Sequence, residues 1–454
     1  MKESYDYLVG FARVDITPTE SVPLGGYGST LKRMSRVIRD RIFADCIAIT
    51  DKLDNTVLLI SMDLVNTNAV IVEKARETIE KMCGIKGDKV MISATHTHAS
   101  VDTFAKIPAI DKYIDDMGEK LLPAAAAIAL ADRRPAKMYV GEFTPHGFNF
   151  IRHYKAMPTD GREPFYFGDN HIDGKLDDNL VQNESVHATD IYEKAHLVKF
   201  NRENGKDLLL MNWRAHATLC SGMNVYDLSA DFVGDLRRQV EDRTDFLFTY
   251  FQGAAGNVNP KTRIKKEERS LESVSYSVML ADELIKGLDS LEYVKPGEIK
   301  TLHEEFAVNI NHTKDALKDE AKKISDFYKE TGDRKTANKM AKDIGLFSVY
   351  ECNAVVGHAN CQRTTEIELN AISLGDVALI TAPCELFDNL SVYVEEKAPY
   401  KKVLTIGYCN GKRGYMPSLA AYEYGCYEAD ISLFEPGTLE KTADKFLDML
   451  NQVQ

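Results

Sequence analysis

The chain of 454 residues has 44% hydrophobic and 28% charged residues, which is the balance of an ordinary globular protein. Its net charge of −13 at pH 7 disfavours nucleic acid and anionic membrane surfaces as partners, because both attract a basic face. With no apolar signal region at Met1, no apolar run of membrane-spanning length and no CxxC pair, we expect a cytoplasmic protein with reduced thiols and no stable membrane association.

Strand and helix patterns alternate along the chain and predict an α/β fold in which mixed β-sheets are flanked by helices. Short apolar runs bounded by polar residues predict strands, and apolar residues three and four apart predict helices. The predicted strands are 7–18, 45–51, 55–63, 90–92, 137–143, 208–213, 246–251, 403–408 and two within 364–382. The predicted helices are 68–83, 109–132, 229–242, 267–290 and 439–450.

Three segments depart from this alternation. Gly25-Gly26-Tyr27-Gly28 lacks the spacing of a phosphate-binding loop and predicts a tight turn, with the backbone wall of a cleft as the alternative. Residues 144–192 are polar, aromatic and without periodicity, which predicts a lid or substrate loop, a solvated excursion being the alternative. Residues 313–345 are rich in Lys, Glu and Asp and predict a charged helical insertion. We expect residues 1–454 to form a single domain that includes these segments.

Metal-ligand residue types follow three of the predicted strands. The strand at 90–92 leads into Thr95-His96-Thr97-His98, and in an extended segment side chains two apart project to the same face. His216 follows the strand at 208–213, and Glu385 follows the strands within 364–382. Each histidine alone is more often a structural or surface residue, but two histidines and a glutamate form a common ligand set of catalytic zinc. The pattern therefore predicts a Zn²⁺ site at which these strand ends meet.

Along essentially its whole length the sequence resembles the neutral/alkaline non-lysosomal ceramidase family. The resemblance begins at Asp15-Ile-Thr-Pro18 and ends in the tyrosine-rich segment from Tyr415 to Glu428. Its most specific motifs are Thr95-His-Thr-His98, Gly253-Ala-Ala-Gly-Asn-Val-Asn-Pro260 and Pro383-Cys-Glu385. The resemblance implies the fold of a ceramidase N-terminal domain and a hydrolase with one zinc.

The family's site residues map onto this chain position by position. The resemblance implies that the metal ligands are His96, His216, Glu385 and Tyr415. It further implies catalytic roles for His98, Arg152 and Tyr427.

Two departures from the family bear on the activity. The ceramidases have Gly-Asp-Val-Ser-Pro where this chain has Gly256-Asn-Val-Asn-Pro260, so the serine associated with their active site is Asn259 here. This excludes a nucleophilic serine at that position. The sequence also stops soon after the tyrosine-rich segment, and we expect neither the C-terminal β domain nor the secretion signal of true ceramidases. A poor ceramide hydrolase is therefore expected.

We expect a mechanism without a protein nucleophile. Zinc lowers the pKa of a bound water to about 7, and the resulting hydroxide attacks the carbonyl of a small polar substrate. Arg152 and Tyr427 donate to the oxyanion, and His98 shuttles the proton. The expected substrate is a lactone, ester or amide of sugar or cyclitol breakdown.

Four alternatives stay open for the activity: C–C hydrolysis of a cyclic β-diketone, true ceramide amidase activity, a nucleophilic Cys384 beside Glu385, and a non-catalytic metal-binding homologue in which Asn257 and Asn259 mark a decayed site. Whether the chain forms a homo-oligomer is also left open.

Overall fold

The computed structural model describes residues 5–27, 33–156, 163–168, 186–187, 191–222, 224–261 and 269–454. The first elements in chain order are β1 (Tyr7–Asp15), β2 (Val37–Ile38), β3 (Phe43–Thr50), β4 (Thr56–Met62), α1 (Ala69–Cys83), β5 (Val90–Ala94), α2 (Pro108–Asp116), α3 (Leu122–Ala131) and β6 (Arg134–Phe143). They are followed by β7 (Asn149–Ile151), β8 (His153–Ala156), β9 (Phe165–Gly168), β10 (Val186–His187), β11 (Ala195–Arg202), β12 (Asp207–Trp213), β13 (Asp227–Leu228), α4 (Asp231–Arg243), β14 (Phe246–Gln252), β15 (Val258–Pro260) and α5 (Arg269–Gly287).

The remaining elements are β16 (Glu292–Tyr293), β17 (Ile299–Asn309), α6 (Lys318–Thr331), α7 (Arg334–Asp343), α8 (Val349–His358), β18 (Thr364–Leu374), β19 (Val377–Thr381), β20 (Glu385–Leu386), α9 (Asp388–Lys397), β21 (Lys402–Ile406), β22 (Tyr415–Met416), α10 (Leu419–Tyr424), α11 (Tyr427–Ile431) and α12 (Thr438–Gln452). The prediction of an α/β fold with mixed sheets flanked by helices is confirmed. No helix among the described residues is long and apolar enough to cross a membrane.

Local sequence signals explain how helix α1 begins, ends and packs. The Asn68 side chain accepts a hydrogen bond from Val70 N at its start, and Gly84 ends it in the left-handed conformation with φ 73°. Between these caps, Ile71, Val72, Ala75 and Ile79 follow helical spacing and are buried. They pack against the apolar residues of β3, β4 and β5.

The large sheet brings distant strands together because it curls. Its strand order is β14-β12-β11-β6-β1-β3-β4-β5, with β16 paired to β6. Although β14 and β5 end this order, β14 contacts both β4 and β5. The hydroxyl of Ser61 on β4 donates to the Tyr250 carbonyl on β14 at 2.6 Å. The curl therefore places the loop after β5 near the loop after β12.

A second sheet fills the concave side of the first. Strands β17, β18, β19 and β21 form it in that order, with β19 parallel to β21. One core cluster lies between the sheets and includes Ile47 and Met91 from the large sheet and Leu379 and Ile406 from the small one. Helices α1 to α5 cover the outer face of the large sheet, and α9 and α12 cover that of the small one. The layers are thus helix, sheet, sheet, helix.

The segment 144–192 is not irregular throughout. Strands β7, β8, β9 and β10 lie within it, and β7 pairs with β15 while β8 pairs with β9 and β10. Asn170 and His171, two polar residues of this segment, lie outside the described residues. The aperiodic composition concealed the strands because each is only two to four residues long.

The predicted insertion at 313–345 is helical, and it continues to His358. Helices α6, α7 and α8, which we call the helical insertion, leave the small sheet after β17 and return at β18. They enclose a small core of their own, formed around Ala321, Ile324, Ala341 and Val349. The charged residues that dominate the sequence cover the outside of this core.

Candidate metal centre

The chain places its candidate metal ligands at the ends of strands from both sheets. His96 follows β5, His216 follows β12, and Glu385 begins β20 just after β19. The side chains of His96, His98, His216 and Glu385 are buried, with 1–10% of their surface exposed. The curl of the large sheet and the packing of the small sheet together bring these ends to one place.

The backbone at His96 differs from the extended segment expected from the sequence. Strand β5 ends at Ala94, and His96 adopts the left-handed conformation with φ 63°. The expectation that an extended chain aligns His96 with His98 is therefore wrong, although the two rings do meet. A non-glycine residue in this region is strained, and such strain concentrates at functional sites. Tyr408, which stacks on the His96 ring at 4.1 Å, is also left-handed with φ 54°.

The distances between the candidate ligand atoms are close to those between neighbouring ligands of a single metal ion. His96 Nε2 lies 3.1 Å from His98 Nε2 and 3.4 Å from Glu385 Oε2. His216 Nε2 lies 3.6 Å from the same carboxylate oxygen. Zinc bonds of 2.0–2.1 Å in tetrahedral geometry separate neighbouring ligands by about 3.3 Å. The arrangement can hold a small divalent cation among His96, His216 and Glu385, with His98 at its side.

Backbone carbonyls orient the two histidine ligands. His96 Nδ1 lies 2.5 Å from the Val65 carbonyl, and His216 Nδ1 lies 3.0 Å from the Val258 carbonyl. Because a carbonyl oxygen only accepts, each ring donates from Nδ1 and directs its Nε2 toward the centre of the cluster. Such orientation of the far nitrogen is typical of metal-binding histidines.

Two buried atoms at the centre are unsatisfied. His216 Nε2 and Glu385 Oε2 have no hydrogen-bond partner among the described residues. A buried polar atom without a partner costs about 1–3 kcal/mol, and more when it is charged. A cation bound between them would remove that cost, so the residues fit a metal ion. Two other groups of ligand-type side chains, Glu142/His196/Glu395 and His153/Cys426/Glu428, are instead linked by ion pairs and hydrogen bonds within the protein.

The protonation states also suit ligation. Burial lowers the pKa of His96 to about 3 and that of His98 well below its ordinary value, so both rings are neutral at pH 7. Burial alone would raise the pKa of Glu385, but the adjacent His96 and His216 lower it to about 2. At neutral pH the His96 and His98 rings are therefore uncharged and Glu385 is a carboxylate.

Gln252 ties the two histidine loops to each other. Its side-chain Nε2 donates to the carbonyls of Thr95 at 3.3 Å and Ala215 at 2.6 Å. Its Oε1 accepts from the Tyr250 hydroxyl at 2.7 Å. One buried amide thus fixes the distance between the loops that carry His96 and His216. It lies at the end of β14, just before the Gly253–Pro260 motif, and the sequence pattern did not identify it.

Gly26 shapes the wall behind His98. Its φ is 100°, and a Cβ atom at this position would lie 2.5 Å from His98 Nδ1. Only glycine permits this backbone conformation together with the close approach. Of the two interpretations of the glycine-rich loop, the structure favours the cleft wall, and Gly28 lies outside the described residues.

Tyr415, Arg152 and Tyr427 lie on one side of the cluster. Tyr415 is the register partner of Glu385 in the parallel pair of β20 and β22, and its ring lies 6.5 Å from that of His216. The Arg152 guanidinium lies 5.5 Å from the Tyr415 ring centre and donates to the Gly256 carbonyl at 3.0 Å. The Tyr427 ring lies 6.0 Å from Tyr415. Burial raises the pKa of the Tyr415 hydroxyl, which is protonated in this environment.

A buried glutamate holds Arg152. Glu428 forms an ion pair with Arg152 Nε, and its other oxygen lies 3.2 Å from His153 Nε2. The far nitrogen of His153 lies 2.7 Å from the Tyr424 hydroxyl. Burial alone would raise the pKa of Glu428, but Arg152 and His153 lower it. His153 belongs to the segment predicted as a lid or substrate loop, but its ring makes these contacts inside the protein.

Asn257, one of the two residues that differ from the family motif, has a structural partner. Asn257 donates to Asp388 Oδ1 at 2.8 Å and accepts from Asp388 N at 3.0 Å, so it ties the motif to the start of α9. Asn259 lies in β15 opposite Phe150. Cys384 is fully buried, which raises the pKa of its thiol and opposes a role as nucleophile.

Comparison with known structures shows that the chain has the fold of the neutral ceramidases. The structure of a neutral ceramidase from Pseudomonas aeruginosa matches with a TM-score of 0.73 and 17% identity, over 99% of this chain and 74% of that one. A ceramidase complexed with C2 matches with a TM-score of 0.70 and 16% identity, over 98% and 75% of the two chains. The sequence matches no family model and no curated protein. The resemblance found in the sequence is confirmed for the fold.

Proposed function

We propose that this protein is a zinc-dependent hydrolase that attacks the carbonyl of a small polar substrate. The observation that carries the proposal is the convergence of His96 Nε2, His216 Nε2 and Glu385 Oε2, two of them buried without a partner among the described residues. Imidazole nitrogens with one carboxylate favour zinc over the hard cations, which prefer oxygen ligands. Tyr415 beside Glu385 is the proposed fourth ligand.

Zinc at such a site supplies a Lewis acid and a water activated near neutral pH. His98, whose Nε2 lies 3.1 Å from that of His96, is the proposed proton carrier; its lowered pKa makes it a weak base but a strong acid toward the leaving group. Arg152 and Tyr427 are suited to donate to the oxygen of a carbonyl bound between them and the metal. Preorganised donors of this kind each contribute about 3–4 kcal/mol to catalysis.

The proposed substrate is an oxygen-rich lactone, ester or amide of the kind formed in sugar or cyclitol breakdown. The Arg152 guanidinium and the phenols of Tyr415 and Tyr427 lie on one side of the metal cluster, and these donors match hydroxyl groups better than acyl chains. The β-diketone alternative uses the same carbonyl chemistry and differs only in the bond that breaks. Ceramide amidase activity is the second candidate, because the solved neighbours are ceramidases.

The test is a zinc-dependent substrate screen. Purified protein is stripped with a chelator, reloaded with Zn²⁺, and assayed on lactones, acylated amines, cyclic β-diketones and a natural ceramide. We expect turnover of a small polar carbonyl compound that disappears on stripping, returns on reloading, and is abolished in Glu385→Ala. The matched control is Glu193→Ala, which removes a glutamate paired with the exposed His146 at 2.7 Å. Bound zinc with no turnover of any class would instead support a non-catalytic metal-binding protein.

A further inference from the structure

The helical insertion packs directly on α11, the helix that carries the candidate catalytic residue Tyr427. Helix α8 contacts α11, and α11 begins with Tyr427 and Glu428. Glu351 on α8 is buried; burial raises its pKa, and nearby Asp430 on α11 raises it further. The insertion is therefore part of the wall around the site.

Three half-buried tyrosines connect the insertion to the metal cluster. The Tyr350 ring on α8 lies 6.2 Å from the Tyr427 ring at 87°, and the Tyr427 ring lies 6.0 Å from that of Tyr415. Tyr415 in turn stacks toward His216 at 6.5 Å. Contacts of this geometry are attractive aromatic pairs. The row Tyr350–Tyr427–Tyr415 therefore runs from the insertion to the candidate ligands, and its members keep part of their surface accessible.

Tyr350 is held in place from its other side. Its neighbour on that side is Tyr328 on α6, whose pKa is raised by burial and by the nearby Tyr350. The neighbouring Glu351 accepts from Phe347 N at 2.5 Å and pairs with Lys314, which fixes the start of α8 to the base of the insertion. A ring held by Tyr328 and by Tyr427 cannot move aside without breaking one of these contacts.

We propose that Tyr350 is a specificity-determining residue: the helical insertion uses it to limit the length of the group that extends from the reacting carbonyl. The inference rests on the proposed function, which puts the carbonyl beside Tyr415 and Tyr427. A short polar substituent that extends along this row ends beside Tyr427, whereas a longer chain reaches the Tyr350 ring. Substitution of Tyr350 by a small residue therefore admits longer groups without changing the metal cluster.

Zinc-binding hydroxamates test this without the natural substrate. Dissociation constants of acetohydroxamic acid and hexanohydroxamic acid are measured by calorimetry on the zinc-loaded wild type, Tyr350→Ala and Tyr328→Phe. Tyr328→Phe is the matched control, because it removes a hydroxyl next to Tyr350 but leaves the Tyr350 ring. Zinc content is measured in every sample. Tyr350→Leu, which keeps apolar volume, replaces Tyr350→Ala if the alanine variant does not fold.

We expect acetohydroxamic acid to bind all three proteins within about two-fold. We expect hexanohydroxamic acid to bind Tyr350→Ala at least ~10-fold more tightly than wild type, because methylenes of the longer chain are buried only in the variant. Tyr328→Phe should keep the wild-type preference for the short compound. Equal affinity of the long compound for wild type and Tyr350→Ala would overturn the role of Tyr350 alone. Failure of acetohydroxamic acid to bind any zinc-loaded protein would overturn the proposed function as well.

Discussion

Neutralising Glu428 should destabilise the protein measurably, because this carboxylate is buried between the side chains of Arg152 and His153. Only 1% of its side-chain surface is exposed, and it contacts Arg152 Nε and His153 Nε2. Removing one member of a buried ion pair typically costs about 3–5 kcal/mol. The substitution Glu428→Gln keeps the side-chain volume and one oxygen that can accept a hydrogen bond. Arg152 also keeps its hydrogen bond to the Gly256 carbonyl at 3.0 Å. We therefore expect a loss of about 2–3 kcal/mol of unfolding free energy at pH 7.

The pH dependence of the unfolding free energy shows whether the charge of Glu428 causes this loss of stability. The folded-state pKa of Glu428 is lowered, so the stability it contributes is present above the unfolded-state pKa of about 4.3 and is lost as the pH falls through the folded value. The difference between wild type and Glu428→Gln should be constant from about pH 6 to 8 and should shrink below about pH 4.

Urea unfolding of chelator-treated protein, followed by circular dichroism, measures this difference. The matched control is Glu283→Gln, which neutralises an exposed glutamate 2.7 Å from Lys286 and should change stability by less than about 0.5 kcal/mol. Equal unfolding free energies for wild type and Glu428→Gln at pH 7 would refute the reasoning. A difference that persists undiminished at pH 3 would also refute it, because it would not come from the charge.

Three further outcomes follow from the site. Arg152→Lys keeps the charge but loses the planar guanidinium, so kcat/KM on the true substrate should fall about ten-fold or more with zinc content unchanged. Normal turnover would show that Arg152 is not part of the active site. Gln252→Leu separates the Thr95 and Ala215 loops, so zinc affinity in a chelator competition should fall about 10–100-fold, and unchanged affinity would show that the bridge is dispensable. Hydrolysis of a natural long-chain ceramide should stay below about 10⁴ M⁻¹s⁻¹ in kcat/KM, since Arg152 and the phenols would be left unpaired against an acyl chain, and a faster rate would contradict the small polar substrate.

Much of the fold could be predicted from the sequence because its strands are apolar on both faces. Thr56–Met62 and Val90–Ala94 lie between two covered faces and appear in the sequence as short continuous apolar runs. Ile299–Asn309 is largely polar and half-buried, so it gave no such signal and its strand was not predicted. The short strands within 144–192 were missed because their register is set by partners distant in the chain, such as Val258–Pro260.

Some residues of the candidate site could also be predicted from the sequence, and others could not. His96, His216 and Glu385 could be found because each residue type follows a recognisable strand and the order of motifs resembles that of the ceramidases. Their convergence depends on the curl of the large sheet, which no local pattern encodes. Glu428 and Gln252 had no signal, since a buried carboxylate or amide is defined only by the partners that fold around it.

The most direct measurement for the central claim is the zinc content of purified protein by elemental analysis, in wild type, His96→Ala, His216→Ala and Glu385→Ala. The control variant is His146→Ala, which removes an exposed histidine paired with Glu193. We predict one zinc per chain in wild type and in His146→Ala, and a loss of most of it in each of the three site variants. Zinc content that is unchanged in His96→Ala and Glu385→Ala would contradict the account.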